Sequence, residues 1–413
     1  MKRRWNIEER LEWRAWTTPK GLRDKPIHRW LVFPHSYTPE LAHALIEEWG
    51  LGSDDVVLDP FAGAGTTVLG AKERGVPATG YDLSPLAVLA ARTKVSPLRR
   101  KLIEKEWTRL RDRLLPADWS KLLASDYPDL VWKALPGHLL VAFDWIKQQI
   151  HLRVPPGPSQ DFFLLGLLAT IPEFSRAVAT GGWLKWVDRR RPASRVPAAF
   201  SARISAMLED VPVSPEQQGN GAAWNIVEAD ARALPDRKPR YSAVITSPPY
   251  PNRHDYTRVF GVELMFGLLD WEGTRRLRYQ SFHSHPEAKP KRPDGDGYRM
   301  PRILKQVVSS VREAADDERV AAMLEGYFLD MYLCLKETRR VCRPGARIAF
   351  VVGNAQYNGE ELPVDELTAD SGEQAGLTCE QIIVARYRGN SAQQMRRFGR
   401  NPSRESVVVF RRV

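Results

Sequence analysis

Val56-Val57-Leu58-Asp59-Pro60-Phe61-Ala62-Gly63-Ala64-Gly65-Thr66-Thr67 decides how the rest of the chain is read. Val56, Val57 and Leu58 form a short apolar run, the mark of a buried strand. Asp59 to Gly65 is a tight loop, and Thr66 to Arg74 predicts a helix closed by Gly75. Ala78-Thr79-Gly80-Tyr81 reads as a second strand with Asp82 at its end. Ser84 then caps a further helix, with Pro85 at its first position, running to about Lys94. Residues 54–98 are therefore a β-α-β-α unit, which predicts an α/β sheet.

The same rhythm returns after residue 222. Trp224 to Glu228 predicts a third strand, followed by Asp230 and Ala231. Tyr241-Ser242-Ala243-Val244-Ile245 is an apolar run rich in β-formers, and Thr246-Ser247-Pro248-Pro249-Tyr250 ends it. Two prolines cannot donate to a ladder, so the chain turns there into a stiff, carbonyl-rich corner. Val259 to Leu269 predicts a helix, Val320 to Val341 a long amphipathic one, and Arg347 to Val352 another buried strand. Ile382 to Tyr387 and Ser406 to Phe410 predict two last strands, paired as an antiparallel hairpin at the sheet edge. Between the two halves, 99–222 shows apolar helical faces and no convincing strand, an inserted helical subdomain that ends in the polar linker 212–221. The stretch 270–319 is polar and basic and reads as a long loop or second insertion. Residues 1–50 form an N-terminal segment in which Thr38 caps a helix behind Pro39.

Composition narrows the partners. The 413 residues carry a net charge of +11, which points to a polyanion, most simply nucleic acid. Three cysteines (Cys334, Cys342, Cys379) have no metal-ligand spacing and cannot all pair, as expected of a reducing cytoplasm. The basic start is followed by no apolar stretch, so no signal peptide is expected. The longest apolar run, 162–171, is about half the ~20 residues a bilayer requires, so no membrane segment is expected.

Chemistry concentrates at the strand ends. Gly63-Ala64-Gly65 sits where a nucleotide-type ligand needs close backbone approach, although the two glycines alone also fit a routine turn. The loop lacks the third glycine of a dinucleotide fingerprint and the lysine of a P-loop, so no pyrophosphate site is expected. Asp59 suits a cation, Asp82 two ribose hydroxyls and Asp230 an adenine amino group. Three carboxylates at successive strand ends describe a pocket for a positively charged nucleoside, and S-adenosylmethionine has that chemistry. At the corner, Ser247 and the Pro248 carbonyl can accept hydrogen bonds from an exocyclic amino group, and Tyr250 offers a ring on which its heterocycle can stack. An ordinary Pro-Pro turn is the bland reading of the corner alone.

Taken together, residues 59–67 and 246–250 resemble the amino-methyltransferases of DNA, and Ser-Pro-Pro-Tyr resembles most the cytosine-N4 branch. The likeness continues at 252–258, 343–345 and 404–406 and covers most of 25–98 and 223–413. It implies a Rossmann-like class I methyltransferase sheet of seven strands, mostly parallel, in a catalytic domain formed by 51–98 and 223–413. It implies S-adenosylmethionine as donor, held by Asp59, Phe61, Gly63, Gly65, Thr66, Thr67, Asp82, Leu83, Asp230 and Ala231, with the N-terminal segment 1–50 expected to pack on that site. Ser247, Pro248, Pro249 and Tyr250 become the catalytic corner, acting on a base flipped out of double-stranded DNA. A cognate restriction or defence nuclease is then an expected partner. Adenine-N6 methylation and, less favoured, methylation of an RNA base remain alternatives; no separate RNA-binding module is evident. Residues 99–222 and 270–319 are the expected DNA-contacting additions. Candidate contacts are Arg253 and Arg258 beside the corner, Arg189-Arg190-Arg191, and Arg396 and Arg397. A solvated basic face is an equal reading for any single run. His28 and His35 read as structural; Gly181 to Trp186 could line the cleft, although two tryptophans in a helical region read more simply as core; and no metal site is expected.

Overall fold

The computed structural model describes residues 4–115, 122–213, 223–291, 293–314, 318–357, 359–389 and 402–413. Arg396 and Arg397 lie outside the described residues. The strands are β1 (Ile7–Glu9), β2 (Val57–Asp59), β3 (Ala78–Asp82), β4 (Ala177–Thr180), β5 (Trp183–Trp186), β6 (Trp224–Glu228), β7 (Tyr241–Thr246), β8 (Cys342–Gly353), β9 (Ala355–Tyr357), β10 (Glu360–Leu362), β11 (Thr378–Arg388) and β12 (Ser403–Arg411).

The central sheet runs β1-β11-β12-β8-β7-β2-β3-β6. Among the described residues it has eight strands, where seven were expected. The extra one is β1, which pairs in parallel with β11 through Ile7 and Ile382, so the β11–β12 hairpin is not the edge. Ile7-Glu8-Glu9 is too short and too charged to carry a strand pattern of its own; the ladder of β11 supplies it. Only β12 runs against its neighbours, β11 and β8.

Order along the sheet reverses between β2 and β7, which pair in parallel at Val57–Ala243 and Leu58–Val244. The Gly loop follows β2 and the Pro-Pro corner follows β7. Two motifs 180 residues apart in sequence thus leave adjacent strands at the same end, the crevice where open α/β sheets take ligands.

Helices cover both faces. Pro39–Glu48 and Thr66–Glu73 bury Leu41, Leu45, Val68 and Leu69 with Val57, Ile245 and Val351. Arg302–Ala314 and Glu318–Val341 pack with Val364–Gln374 over the other face, against Leu58, Val244 and Ile348. Thr38 and Ser84 stand at their N-caps without a side-chain capping bond.

The insertion folds as helices Arg100–Arg111, Asp129–Ala134, His138–Arg153, Pro158–Phe174 and Val196–Asp210. Its core is continuous with Leu86, Ala87 and Ala90 of the sheet-covering helix and with Val262 to Phe266. It also carries the antiparallel hairpin β4–β5, which was not expected. Trp183 and Trp186 on that hairpin are 59% and 49% exposed, not core. Within 270–319, helices Trp271–Gln280 and Arg302–Ala314 replace the expected loop.

Candidate active site

A cleft of about 160 Å³ opens at the carboxyl ends of β2, β3, β6 and β7. It is lined by Phe61, Gly63, Thr66, Thr67, Asp82, Leu83, Asp230 and Ala231 from the strand-end loops, and by Ser247 and Pro249 from the corner. Gly65 lies just behind. Its φ of +86° is left-handed, and a Cβ there would come within 2.9 Å of Ala91, so the next helix can pack closely only on glycine.

Asp59 joins the two motifs. Its carboxylate accepts from the hydroxyl of Thr246 on β7 at 2.6 Å, from the hydroxyl of Thr67 on the Gly-loop helix, and from the amide of Phe61 at 3.1 Å. Burial raises its pKa to about 6 against those bonds. The Ile245 carbonyl lies 3.2 Å from the same Thr67 hydroxyl and competes with Asp59 for its single proton, and the Tyr37 hydroxyl meets that oxygen as well. Asp59 is thus saturated by protein donors; it fixes the cleft floor and has no oxygen free of them.

Asp82 accepts from the amides of Gly63 at 2.9 Å and Ser84 at 2.8 Å, one on each oxygen, and burial raises its pKa. Asp230 is gripped by the Arg232 guanidinium at 2.7 and 2.9 Å. Arg232 is buried, also donates to Asp330 at 3.0 Å and to the Gln280 carbonyl, and so brings no free charge to the cleft. The walls offer carboxylates and neutral groups, which suits a cationic nucleoside and not a polyphosphate.

Ser247 lines the cleft and donates its proton to the Val351 carbonyl at 3.2 Å, so its oxygen can still act as an acceptor. Pro248 and Tyr250 are buried and do not line the cleft. The Tyr250 hydroxyl donates to Glu405 at 3.0 Å, the Arg388 guanidinium lies 5.7 Å over its ring, and His35 approaches at 6.0 Å. Anything stacking on Tyr250 must displace one of those neighbours.

Phe33, His35 and Tyr37 reach the cleft from the N-terminal segment, Tyr256 and Thr257 from the stretch 252–258, and Phe282 and His285 from farther along, where no motif announced them. Phe282 meets Phe61 edge to face at 5.5 Å. Lys94 is buried beneath the Gly loop and donates to the carbonyls of His28, Leu31 and Ala64. It ties loop and N-terminal segment together, and burial lowers its pKa to about 7. The sign in the sequence was a lysine at a position the helix period buries. Burial holds His35, His254 and His285 below the usual imidazole range, His254 at about 4, so the histidines beside the corner are neutral at pH 7.

Asp255, His285 and Glu287 bring one ligand atom each within 4.8 Å of one another. Arg278 stands 2.9 Å from Asp255 and Arg258 2.9 Å from Glu287, so guanidinium groups already supply the positive charge there. Arg258 also lies 5.3 Å over Trp183. Arg253 is exposed, at φ +64°. Arg189 is committed to the carbonyls of Pro172 and Ser175, Arg191 pairs with Glu173, and Arg190 reaches only Asp188 at the surface.

A family model described as DNA methylase, of the N6/N4 type, matches residues 2–92. The Type II methyltransferase M.BsoBI of Geobacillus stearothermophilus is 26% identical over 444 residues, spanning 94% of this chain and 86% of its own length. The Type II methyltransferase M.AvaI of Nostoc sp. is 26% identical over 434 residues, spanning 94% and 87%. A solved geranyl diphosphate methyltransferase, in complex with GPP and sinefungin, is 9% identical with a TM-score of 0.33, over 100% of this chain and 89% of that one. The α/β assignment rests on the strand order described above and not on that likeness.

Proposed function

We propose that this chain, a member of the DNA amino-methyltransferase family with S-adenosylmethionine as its cofactor, methylates the N4 amino group of cytosine within a specific DNA sequence. The observation that supports it is the meeting of Ser247 and Pro249 with Gly63, Asp82 and Asp230 in one cleft. Position 247 is Ser, where the adenine enzymes usually have Asp or Asn; this favours cytosine over adenine.

Asp82 and Asp230 would hold the nucleoside end of the cofactor, with Phe61, Leu83 and Ala231 against its flat faces. The bound cofactor supplies an electrophilic methyl group. Ser247 Oγ accepts one amino hydrogen of an extruded base, and the Pro248 carbonyl, which stands behind the cleft wall until a base enters, is assigned the other; the two bonds draw the nitrogen lone pair out of conjugation with the ring and aim it at the methyl group. Once methylated, that nitrogen carries a positive charge and sheds a proton to water, so no strong base is required at the corner. Positioning and the neutral, acceptor-rich surroundings carry the rate. Tyr250 is assigned as the platform for the base, held in orientation by Glu405. Arg253 and the insertion are assigned to the DNA backbone. A nuclease acting at the same sequence would be the natural partner of such an enzyme.

The test is transfer of a labelled methyl group to duplex DNA, followed by mass spectrometry of the nucleosides. N4-methylcytosine is the expected product. N6-methyladenine overturns the choice of base, and label in RNA alone overturns DNA as the substrate.

A further inference from the structure

The hairpin β4–β5 stands apart from the central sheet, yet its tip reaches the corner. A Cβ on Gly182 would lie 3.2 Å from both the Arg253 carbonyl and the Cα of His254, three and four residues beyond Tyr250. Trp183, next in sequence, is 59% exposed, with Arg258 on one side at 5.3 Å. Arg258 is itself held by Glu287 and by Asp255.

The mount behind this tryptophan is stiff. Leu184 packs into the insertion core, the Val187 amide donates to the Arg176 carbonyl, and Arg189 clamps the carbonyls of Pro172 and Ser175. A two-stranded hairpin has little stability of its own, so these ties are what hold it out from the surface. Residues 177–195 carry Lys185, Arg189, Arg190, Arg191 and Arg195 against Asp188 alone. A rigid, open aromatic ring in a cationic setting has the chemistry of a nucleic-acid stacking platform.

We infer that Trp183 is a positioning residue that enters the duplex beside the corner and stacks on the base pairs next to the extruded nucleotide. The inference rests on the proposed function. It assigns the hairpin a task separate from holding the base: keeping the duplex closed around the gap, which would otherwise collapse and draw the base back.

The experiment compares wild type, Trp183→Ala and Trp183→Phe on two duplexes. In one the target base is paired; in the other it faces an abasic site, so that no pairing opposes extrusion. On the paired duplex Trp183→Ala is expected to lose about tenfold or more in kcat/KM, with Trp183→Phe in between. On the abasic duplex the three enzymes should agree within about twofold. Equal losses on both duplexes, or no loss on either, overturn the inference. A wild-type enzyme silent on both overturns the proposed function instead.

Discussion

Asp59 has both oxygens occupied by Thr246, Thr67 and the Phe61 amide, and is still protonated more readily than a free carboxyl because burial strips the charged form of most of its hydration. Its folded pKa of about 6 lies above the ordinary value of 3.8. Between those two values the folded state binds more protons than the unfolded one, so this group's contribution to stability falls as pH rises through that window. The whole effect is about 3 kcal/mol, on the order of two pK steps. Asp59→Asn removes the titration. Denaturant unfolding should therefore show Asp59→Asn costing more stability at pH 4.5 than at pH 7.5, and a pH-independent cost would contradict the burial argument. At this scale the sequence was informative where a residue type has one use. That Asp82 and Asp230 come to the cleft wall was legible because carboxylates at strand ends are conspicuous. Arg232 and Lys94 were not, since each acts through a partner remote in sequence: Asp330 for one, the His28 and Leu31 carbonyls for the other.

The Gly loop shows how one backbone turn sets the packing of two helices. Gly63 and Gly65 both have positive φ, but only Gly65 touches the neighbouring helix, with Ala91 at 2.9 Å from a Cβ. A Cβ at Gly63 would meet Phe33 at 3.8 Å, an ordinary contact. Gly63→Ala should therefore cost about 1 kcal/mol of backbone strain. Gly65→Ala adds a clash with main chain and should cost at least ~2 kcal/mol, with cofactor affinity reduced in step. Thermal melts and cofactor titration would rank the two, and the reverse ranking would count against this packing. The strand–loop–helix unit around these glycines was legible because its apolar run is cut off sharply by Asp, Pro and Gly. Hairpin β4–β5 was not: Trp-Leu-Lys-Trp has no alternation, and most of its residues meet solvent. The helix Arg302–Ala314 did carry a period in Leu304, Val307, Val308 and Val311, hidden among flanking charges.

Over the whole molecule, the +11 charge should govern the encounter with DNA. Affinity ought to fall with salt, with a slope near −0.9 per phosphate neutralised. Arg190, 81% exposed and paired among the described residues with Asp188 alone, is the clearest candidate contributor. Arg190→Ala should make that slope shallower by about one unit while leaving cofactor affinity unchanged, measured by fluorescence anisotropy across a salt series; an unaltered slope would remove Arg190 from the interface. The insertion was legible as helical, because Phe162 to Ile171 and Leu139 to Ile146 are apolar on helical spacing. That it shares its core with Leu86 and Ala90 was not, since nothing local marks which helix a distant apolar face will meet.

The cleft is assembled sideways, by the β2–β7 ladder, and not by the chain passing directly from one motif to the other. Ile7 and Arg411 both lie beside the beginning of β11, opposite Ile382 and Thr378. A short linker could therefore join β12 to β1, and the polypeptide could be reopened elsewhere. Such a circular permutant would present its Pro-Pro corner ahead of its glycine turn and keep every strand neighbour it has now. The order in which a ribosome emits the two halves is, for this architecture, free to change.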